Sequence, residues 1–375
     1  MNLLKKLFFL LLTALVSFSV FANEDLIERY KQKNELMPAT GQFAGETIES
    51  KEKRTLILLS DVEKTIFGID IEDIAFANFR HNGEFYIASI PAIKVDSKQN
   101  LKRATKVVKS VSFMKEHWSG KSRPETKSVE VHSELLFDFE KSSGIKLIFN
   151  QDKRQDVKGD KRIYGAVLSI EAIRSEENPK ADFMPAGLGY NFAVGYRFYS
   201  YAERDLKNRN EAAALYTSYA LDFSQTESYS KKANSMDNLL FNSIRTSHSN
   251  GRKQTYNLFQ NNCTNRLFDL LDISMGYNKN TSGTVRFDAI GDEYLEFINN
   301  DLQDITSFIA KLVEDKLVEL PIEIESQLYG LSRELMLENL NEMRQTSGRR
   351  GNVKNFLYAL PPFIKGHLKA RGLIK

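Results

Sequence analysis

Residues 256–273, which read YNLFQNNCTNRLFDLLDI, constrain the fold of this chain more than any other stretch. Their apolar residues recur at the spacing of one helix face, at Leu267, Leu270, Leu271 and Ile273. This spacing predicts an amphipathic helix that must bury its apolar face against a core. Asn262 is a favoured N-cap residue, so Cys263 is predicted at or near the first helical position.

Cys263 is the only cysteine of the 375 residues, so the chain has no internal disulfide. A free thiol has a pKa of about 8.5, and the positive end of a helix dipole can lower it by one to several units. The position therefore favours a nucleophilic cysteine. The alternative is a buried structural cysteine, which is common in proteins.

The first 22 residues have the pattern of a secretory signal peptide. Lys5 and Lys6 precede the apolar run 7–21, and small residues stand where a signal peptidase reads. The run is short for a membrane span, and polar residues come directly after it. We therefore expect export and a mature chain that begins at Asn23.

Charge and motif content argue against several classes of function. Removal of Lys5 and Lys6 with the leader lowers the formal net charge from +3 to +1, whereas nucleic-acid-binding proteins usually carry a concentrated basic face. No HExxH, CxxC or phosphate-cradling glycine motif is present. We therefore predict no nucleic-acid partner, no metal and no cofactor.

The remaining sequence patterns predict a mixed α+β fold. Strands are predicted at residues 54–60, 85–95, 128–139, 146–149 and 164–173, the last three as a meander. Residues 71–79 fit either a helix or a strand, and residues 98–114 fit a strand or a short helix. Helices are predicted at residues 202–223, 236–246, 295–317 and 324–343, the last two as an antiparallel pair.

A charged, proline-containing connector at residues 121–127 suggests a domain boundary. We accordingly divide the chain into a signal peptide at 1–22, an N-terminal β-containing region at 23–125, a core at 126–292 and a C-terminal helical region at 293–375.

The tail at residues 352–375 mixes aromatic and basic residues, a pattern that predicts peripheral membrane contact. A solvated helical cap is the alternative.

A nucleophilic cysteine needs a base, and histidine is the usual one. Of the five histidines, only His132 lies on a predicted core strand, where a rigid element can hold its ring. His132 is therefore the candidate base, and a structural histidine on a sheet face is the alternative.

Two segments together resemble a known family. VHSELLFDF around His132 and NNCTNRLFDLLD around Cys263 are similar to the Lnb N-terminal periplasmic domain family, which includes lipoprotein N-acylation transferases. The segment NEAAALYTSYALDF resembles the helical part that such proteins carry before the cysteine, and the likeness covers roughly residues 128–292. Val131 departs from the family pattern, which often has a glycine before the histidine.

The resemblance implies a fold and a reaction. The fold is a permuted papain-like, NlpC-type core, an antiparallel sheet plus a nucleophile helix with the histidine strand before the cysteine helix. The reaction moves an acyl chain of a lipoprotein to that lipoprotein's amino terminus through a thioester, which implies lipoproteins or lipid acyl groups as partners and the periplasm as location. A cell-wall peptidase or amidase on the same thiol fold, and a non-catalytic envelope binding module, are the alternatives.

The remaining site residues are inferred from the position of the thiol. The backbone N–H of Cys263 at the helix start is the first expected oxyanion donor. The second donor is expected from Asn262 or Tyr256. The residue that orients the histidine stays open between Asn150 and Glu134.

Overall fold

The computed structural model describes residues 25–30, 37, 44–48, 53–117, 131–177, 192–204, 215–226, 230–256, 262–276, 364, 368 and 371–375. The predicted signal peptide and the predicted helix pair at 295–343 lie outside these residues.

The described chain forms one large, mostly antiparallel sheet with few helices, so the predicted mixed fold is confirmed at this level. The strands are β1 (Ile57–Leu58), β2 (Asp73–His81), β3 (Glu84–Val95), β4 (Leu101–Ala104), β5 (Val108–His117), β6 (Val131–Phe139), β7 (Ile145–Asn150), β8 (Gln155–Asp156), β9 (Arg162–Ile163), β10 (Gly165–Ile173), β11 (Phe192–Ser200), β12 (Leu215–Ala220) and β13 (Thr255–Tyr256). The helices with both ends in the described residues are α1 (Asp61–Ile66), α2 (Ser235–Asn250) and α3 (Cys263–Ser274), and residues 25–30 and 201–204 are also helical.

The sheet has the strand order β12-β5-β6-β10-β11-β2-β3-β7-β8, and β1, β4, β9 and β13 pair with single strands beside this path. All pairings are antiparallel except that of β11 with β2. Strands from both sides of the boundary predicted at 121–127 pair with each other, since β5 pairs with β6 and β3 with β7. The strands on the two sides of that connector therefore belong to one sheet.

Most of the predicted elements are confirmed. The strands predicted at 85–95, 128–139, 146–149 and 164–173 correspond to β3, β6, β7 and β10, and the helix predicted at 236–246 is α2. The open segment at 71–79 becomes strand β2, and the one at 98–114 becomes β4 and β5. The strand predicted at 54–60 is shorter, since only β1 forms there before α1 begins.

Two expectations are wrong. The helix predicted at 202–223 is not formed at its C-terminal end, where β12 pairs antiparallel with β5 as an edge strand. The meander is also wrong, because β6 pairs with β5 and β10 whereas β7 pairs with β3. In both cases the pairing partner is remote in the chain, and local spacing carries no information about it.

The sheet carries apolar residues on both faces. In β2, Ile74 and Phe76 belong to the larger apolar cluster, whereas Ala75 and Ala77 belong to a second cluster on the opposite face, as expected from the period of two in a strand. The larger cluster includes the apolar faces of α2 and α3. This packing presses α3 against the sheet and fixes the position of the helix start that carries Cys263.

The last residues of the chain belong to the core. Ile364, Leu368 and Leu373 are fully buried in the larger cluster, and Arg371 pairs with Asp272 of α3. Any membrane contact by the tail would therefore have to use its other residues. Among the described residues, no helix has both the length and the apolar character needed to span a membrane.

Candidate active site

Cys263 is the first residue of α3, and the predicted N-cap is confirmed. Asn262 is extended and its side-chain oxygen accepts a hydrogen bond of 2.8 Å from the N–H of Asn265. The cap fixes where the helix begins and therefore where the thiol lies. Cys263 is only 4 % exposed, so its sulfur is held in a desolvated environment.

His132 lies near the start of β6 and is buried beside the thiol. The imidazole and the Cys263 thiol are hydrogen-bonded to each other. The structure thus brings together the two residues that the sequence singled out, one from a strand and one from a helix start 131 residues later.

Burial and pairing act in opposite directions on these two groups. Burial lowers the pKa of His132, but the Cys263 thiolate and the Glu134 carboxylate outweigh it and raise that pKa to about 10. Burial raises the pKa of Cys263, yet the hydrogen bond and charge of His132 leave it below the ordinary thiol value. Their pairing therefore shifts both groups toward their charged forms, the thiolate and the imidazolium.

Tyr256 lies at the thiol, as one of the two expected oxyanion residues. Its hydroxyl oxygen is 3.5 Å from the backbone nitrogen of Cys263, from which it accepts, and 3.8 Å from Sγ, to which it donates. β13 holds Tyr256 there by pairing with Phe192 of β11. Burial, then the Cys263 charge, raises the pKa of Tyr256 well above its ordinary value, so the hydroxyl stays a donor.

Asn262 and Asn150 occupy different places in the structure. The Asn262 side-chain oxygen is engaged in the helix cap, and only its amide nitrogen could donate to an oxyanion, so that role stays a prediction. The Asn150 side chain donates to Glu84 at 2.7 Å, and its oxygen accepts from the N–H groups of Asp152 and Lys153. Asn150 ends β7, which is five positions from β6 in the sheet, so it does not orient His132.

Glu134 does lie at the site. One of its oxygens is 3.6 Å from Nε2 of His132 and accepts a short hydrogen bond from the Tyr199 hydroxyl. Its other oxygen is 3.7 Å from Arg204. Burial raises the pKa of Glu134, but His132, Tyr199 and Arg204 together lower it below the ordinary value. Glu134 is therefore a buried anion facing the imidazole.

Sequence reasoning missed Ser169, which makes the direct hydrogen bond to His132. Its Oγ is 2.7 Å from Nε2, and its hydroxyl donates to Glu171 at 2.9 Å. Glu171 forms a 2.6 Å salt bridge with Arg197. The signal in the sequence is a pair of polar residues at alternate positions of the apolar strand GAVLSIEAI, which marks a polar patch on one face.

A second histidine–serine pair exists, between His81 and Ser200, at 2.8 Å. The Asn82 amide donates to Nε2 of His81, so Nδ1 carries the hydrogen and donates to Ser200. A ring that already donates to the hydroxyl cannot remove its proton, so this pair is structural. His248 accepts from the N–H of Leu58 and is likewise engaged in the fold.

In the described part of the chain, no group of three or more histidine, cysteine, aspartate or glutamate residues is arranged to hold a metal ion. Comparison of the chain with protein-family models, with curated proteins and with solved structures found no match.

Proposed function

We propose that this protein is a cysteine-dependent acyl enzyme in which Cys263 is the nucleophile and His132 the general base. The observation that carries the proposal is the hydrogen-bonded pair of a helix-start thiol and a buried imidazole, in which the pKa of the thiol is lowered. A thiolate is the reactive form of cysteine, and an adjacent imidazole is the usual way to produce it.

The first half of the reaction is attack on an acyl ester. The Cys263 sulfur forms a bond to the carbonyl carbon, and the carbonyl oxygen becomes an oxyanion. The donors proposed for that oxygen are the Cys263 N–H and the Tyr256 hydroxyl, which lie 3.5 Å apart beside the thiol. The oxyanion then collapses, the carbon–oxygen bond to the leaving alcohol breaks, and that oxygen takes a proton from the His132 imidazolium. The products are a thioester and an alcohol.

The second half releases the acyl group. An amine or a water molecule attacks the thioester carbon while His132 takes its proton, the carbon–sulfur bond breaks, and the thiolate is restored. An amine acceptor makes the enzyme a transferase, and water makes it a hydrolase.

The family likeness extends the proposal to fold and substrate. The histidine strand precedes the cysteine helix, and the sheet around it is mostly antiparallel, which supports a permuted papain-like core. With the leader at residues 1–22, we propose a periplasmic enzyme that acts on lipoproteins or other lipid acyl groups. The pairing of thiol and imidazole counts against a non-catalytic binding module.

The proposal is tested by trapping the thioester. The protein without its leader is incubated with a p-nitrophenyl fatty-acid ester, and intact mass is measured over time. We expect one acyl adduct that neutral hydroxylamine removes, none in Cys263→Ala, and at least a 100-fold slower adduct in His132→Ala, because acid–base groups contribute about 10²–10⁴-fold. Circular dichroism confirms that each variant is folded.

Iodoacetamide alkylation across pH supplies the second readout, since it needs no substrate. We expect a midpoint below the free-thiol value of about 8.5 and a higher midpoint in His132→Ala. An acyl adduct that persists in Cys263→Ala, or a wild-type midpoint at or above the free-thiol value, would contradict the proposal.

A further inference from the structure

We propose that Ser169 is the positioning residue of this site: it accepts the Nε2–H of His132 and donates its own hydrogen to Glu171, which leaves Nδ1 facing the thiol. The inference rests on the proposed function of Cys263 and His132 and adds the residues that orient the base.

The direction of the chain of hydrogen bonds is set by hydrogen counting. The Ser169 hydroxyl has one hydrogen, and it donates that hydrogen to Glu171 at 2.9 Å. Its oxygen is then only an acceptor toward His132 at 2.7 Å, so the hydrogen in that bond belongs to Nε2. When the imidazole is neutral, its lone pair is therefore on Nδ1, the nitrogen left to exchange a proton with Cys263.

Glu171 fixes this direction. Arg197 lies 2.6 Å from one Glu171 oxygen, and Lys53 lies 3.4 Å from the other. Two cations favour the ionised carboxylate, which can only accept hydrogen bonds. Ser169 is fully buried, so neither bond has a competing solvent partner.

Glu134 does not replace Ser169 in this task. Its oxygen is 3.6 Å from Nε2, beyond the range of a hydrogen bond, and that oxygen already accepts from Tyr199. Glu134 therefore attracts the imidazolium by charge, whereas Ser169 sets the direction of the ring.

The experiment measures the pH profile of iodoacetamide alkylation and the rate of acyl-adduct formation for Ser169→Ala and Glu171→Gln. In Ser169→Ala the imidazolium loses its acceptor, so the alkylation midpoint rises and acylation slows by about 10- to 100-fold. Glu171→Gln acts on His132 through Ser169, and it also removes a buried charge that acts on Tyr256. Its amide can donate to the serine and reverse the chain of hydrogen bonds, so we expect a shift in the same direction.

Ser200→Ala is the matched control, because Ser200 is also buried and bonded to a histidine, at 2.8 Å, but that histidine is His81. We expect it to leave the profile and the rate unchanged. If the wild type forms the acyl adduct but the alkylation profiles of Ser169→Ala and Glu171→Gln superimpose on the wild-type profile, this inference alone is overturned. A wild type that forms no acyl adduct would instead overturn the proposed function. If Ser169→Ala does not fold, Glu171→Gln alone decides between these outcomes.

Discussion

At the scale of single residues, the Tyr256 hydroxyl has the most unusual position at the site. It accepts from the Cys263 N–H and donates to the Cys263 sulfur, so it lies beside both the nucleophile and the first expected oxyanion donor. The hydrogen bond from the Cys263 N–H to the Tyr256 oxygen is 3.5 Å long, which is weak for a hydrogen bond. A charged oxyanion would therefore compete well for the Cys263 N–H and for the Tyr256 hydroxyl.

Tyr256→Phe is therefore predicted to slow acyl-adduct formation by about 10²-fold, the lower end of the loss for one oxyanion donor. The alkylation midpoint of Cys263 should also rise, since the tyrosine hydrogen bond is one of the groups that lower its pKa. The rate of acyl-adduct formation and the rate of alkylation at each pH are both measured by intact mass.

Tyr86→Phe is the control for that substitution, because it also removes a hydroxyl, one that donates to Glu84 at 2.9 Å. We expect no change in either rate. Equal acylation in Tyr256→Phe and wild type would remove Tyr256 from the oxyanion site.

The site could be predicted from the sequence only where its chemistry is local. Cys263 and Asn262 are neighbours in the chain, and a cap with its first helical residue is a local pattern. Ser169 reaches His132 because β10 pairs with β6 and sets Ser169 opposite Glu134. That register is fixed by packing between remote segments, and a single sequence does not contain it.

At the scale of elements, two helices begin with the same kind of cap and carry different residues at their first helical position. Asn234 accepts from the N–H of Asp237 at the start of α2, and Asn262 accepts from the N–H of Asn265 at the start of α3, both at 2.8 Å. Helix α2 begins with Ser235, whereas α3 begins with Cys263 and its thiol.

Replacement of either asparagine by alanine is predicted to lower the free energy of unfolding by about 1 kcal/mol, the usual value of an N-cap. Only Asn262→Ala should also slow the alkylation of Cys263, because fraying of the first turn moves the thiol from His132. Denaturant unfolding and alkylation kinetics measure the two effects.

Asn262→Ser separates capping from a direct catalytic role, because serine also caps well. We expect it to recover both stability and reactivity. A serine variant that is stable but slow to form the acyl adduct would show instead that the asparagine amide contacts the reacting group.

The elements themselves were predictable in proportion to the strength of their local pattern. β3 and β10 are long and rich in β-branched and aromatic residues, and α2 has a favoured cap. β12 was not predictable, because its leucine, alanine and tyrosine residues fit a helix equally well and β5 decides the outcome.

At the scale of the whole molecule, the end of the chain packs against the helix that bears the thiol. Arg371 forms a two-bond pair with Asp272 of α3, at 2.6 and 2.8 Å, and its guanidinium lies 4.6 Å from the centre of the Phe268 ring. Leu373 adds a backbone bond to Asp222, next to β12. These contacts tie the C-terminus to both the helix and the sheet edge.

Breaking the Arg371–Asp272 pair from one side is predicted to cost about 3–5 kcal/mol of unfolding free energy, because the partner left behind is a buried, uncompensated charge. The two side chains are only 2 % and 3 % exposed. Removing both, as in Arg371→Met with Asp272→Leu, should cost less than the sum of the single changes, since no isolated charge remains. Urea unfolding of the two single variants and the double variant measures the coupling.

Lys102→Ala, which breaks the exposed pair of Lys102 and Glu72, is the control, and its free energy of unfolding should change little. Additive losses in the double variant would show that Arg371 and Asp272 contribute to stability independently, and that the pair does not fasten the C-terminus to α3.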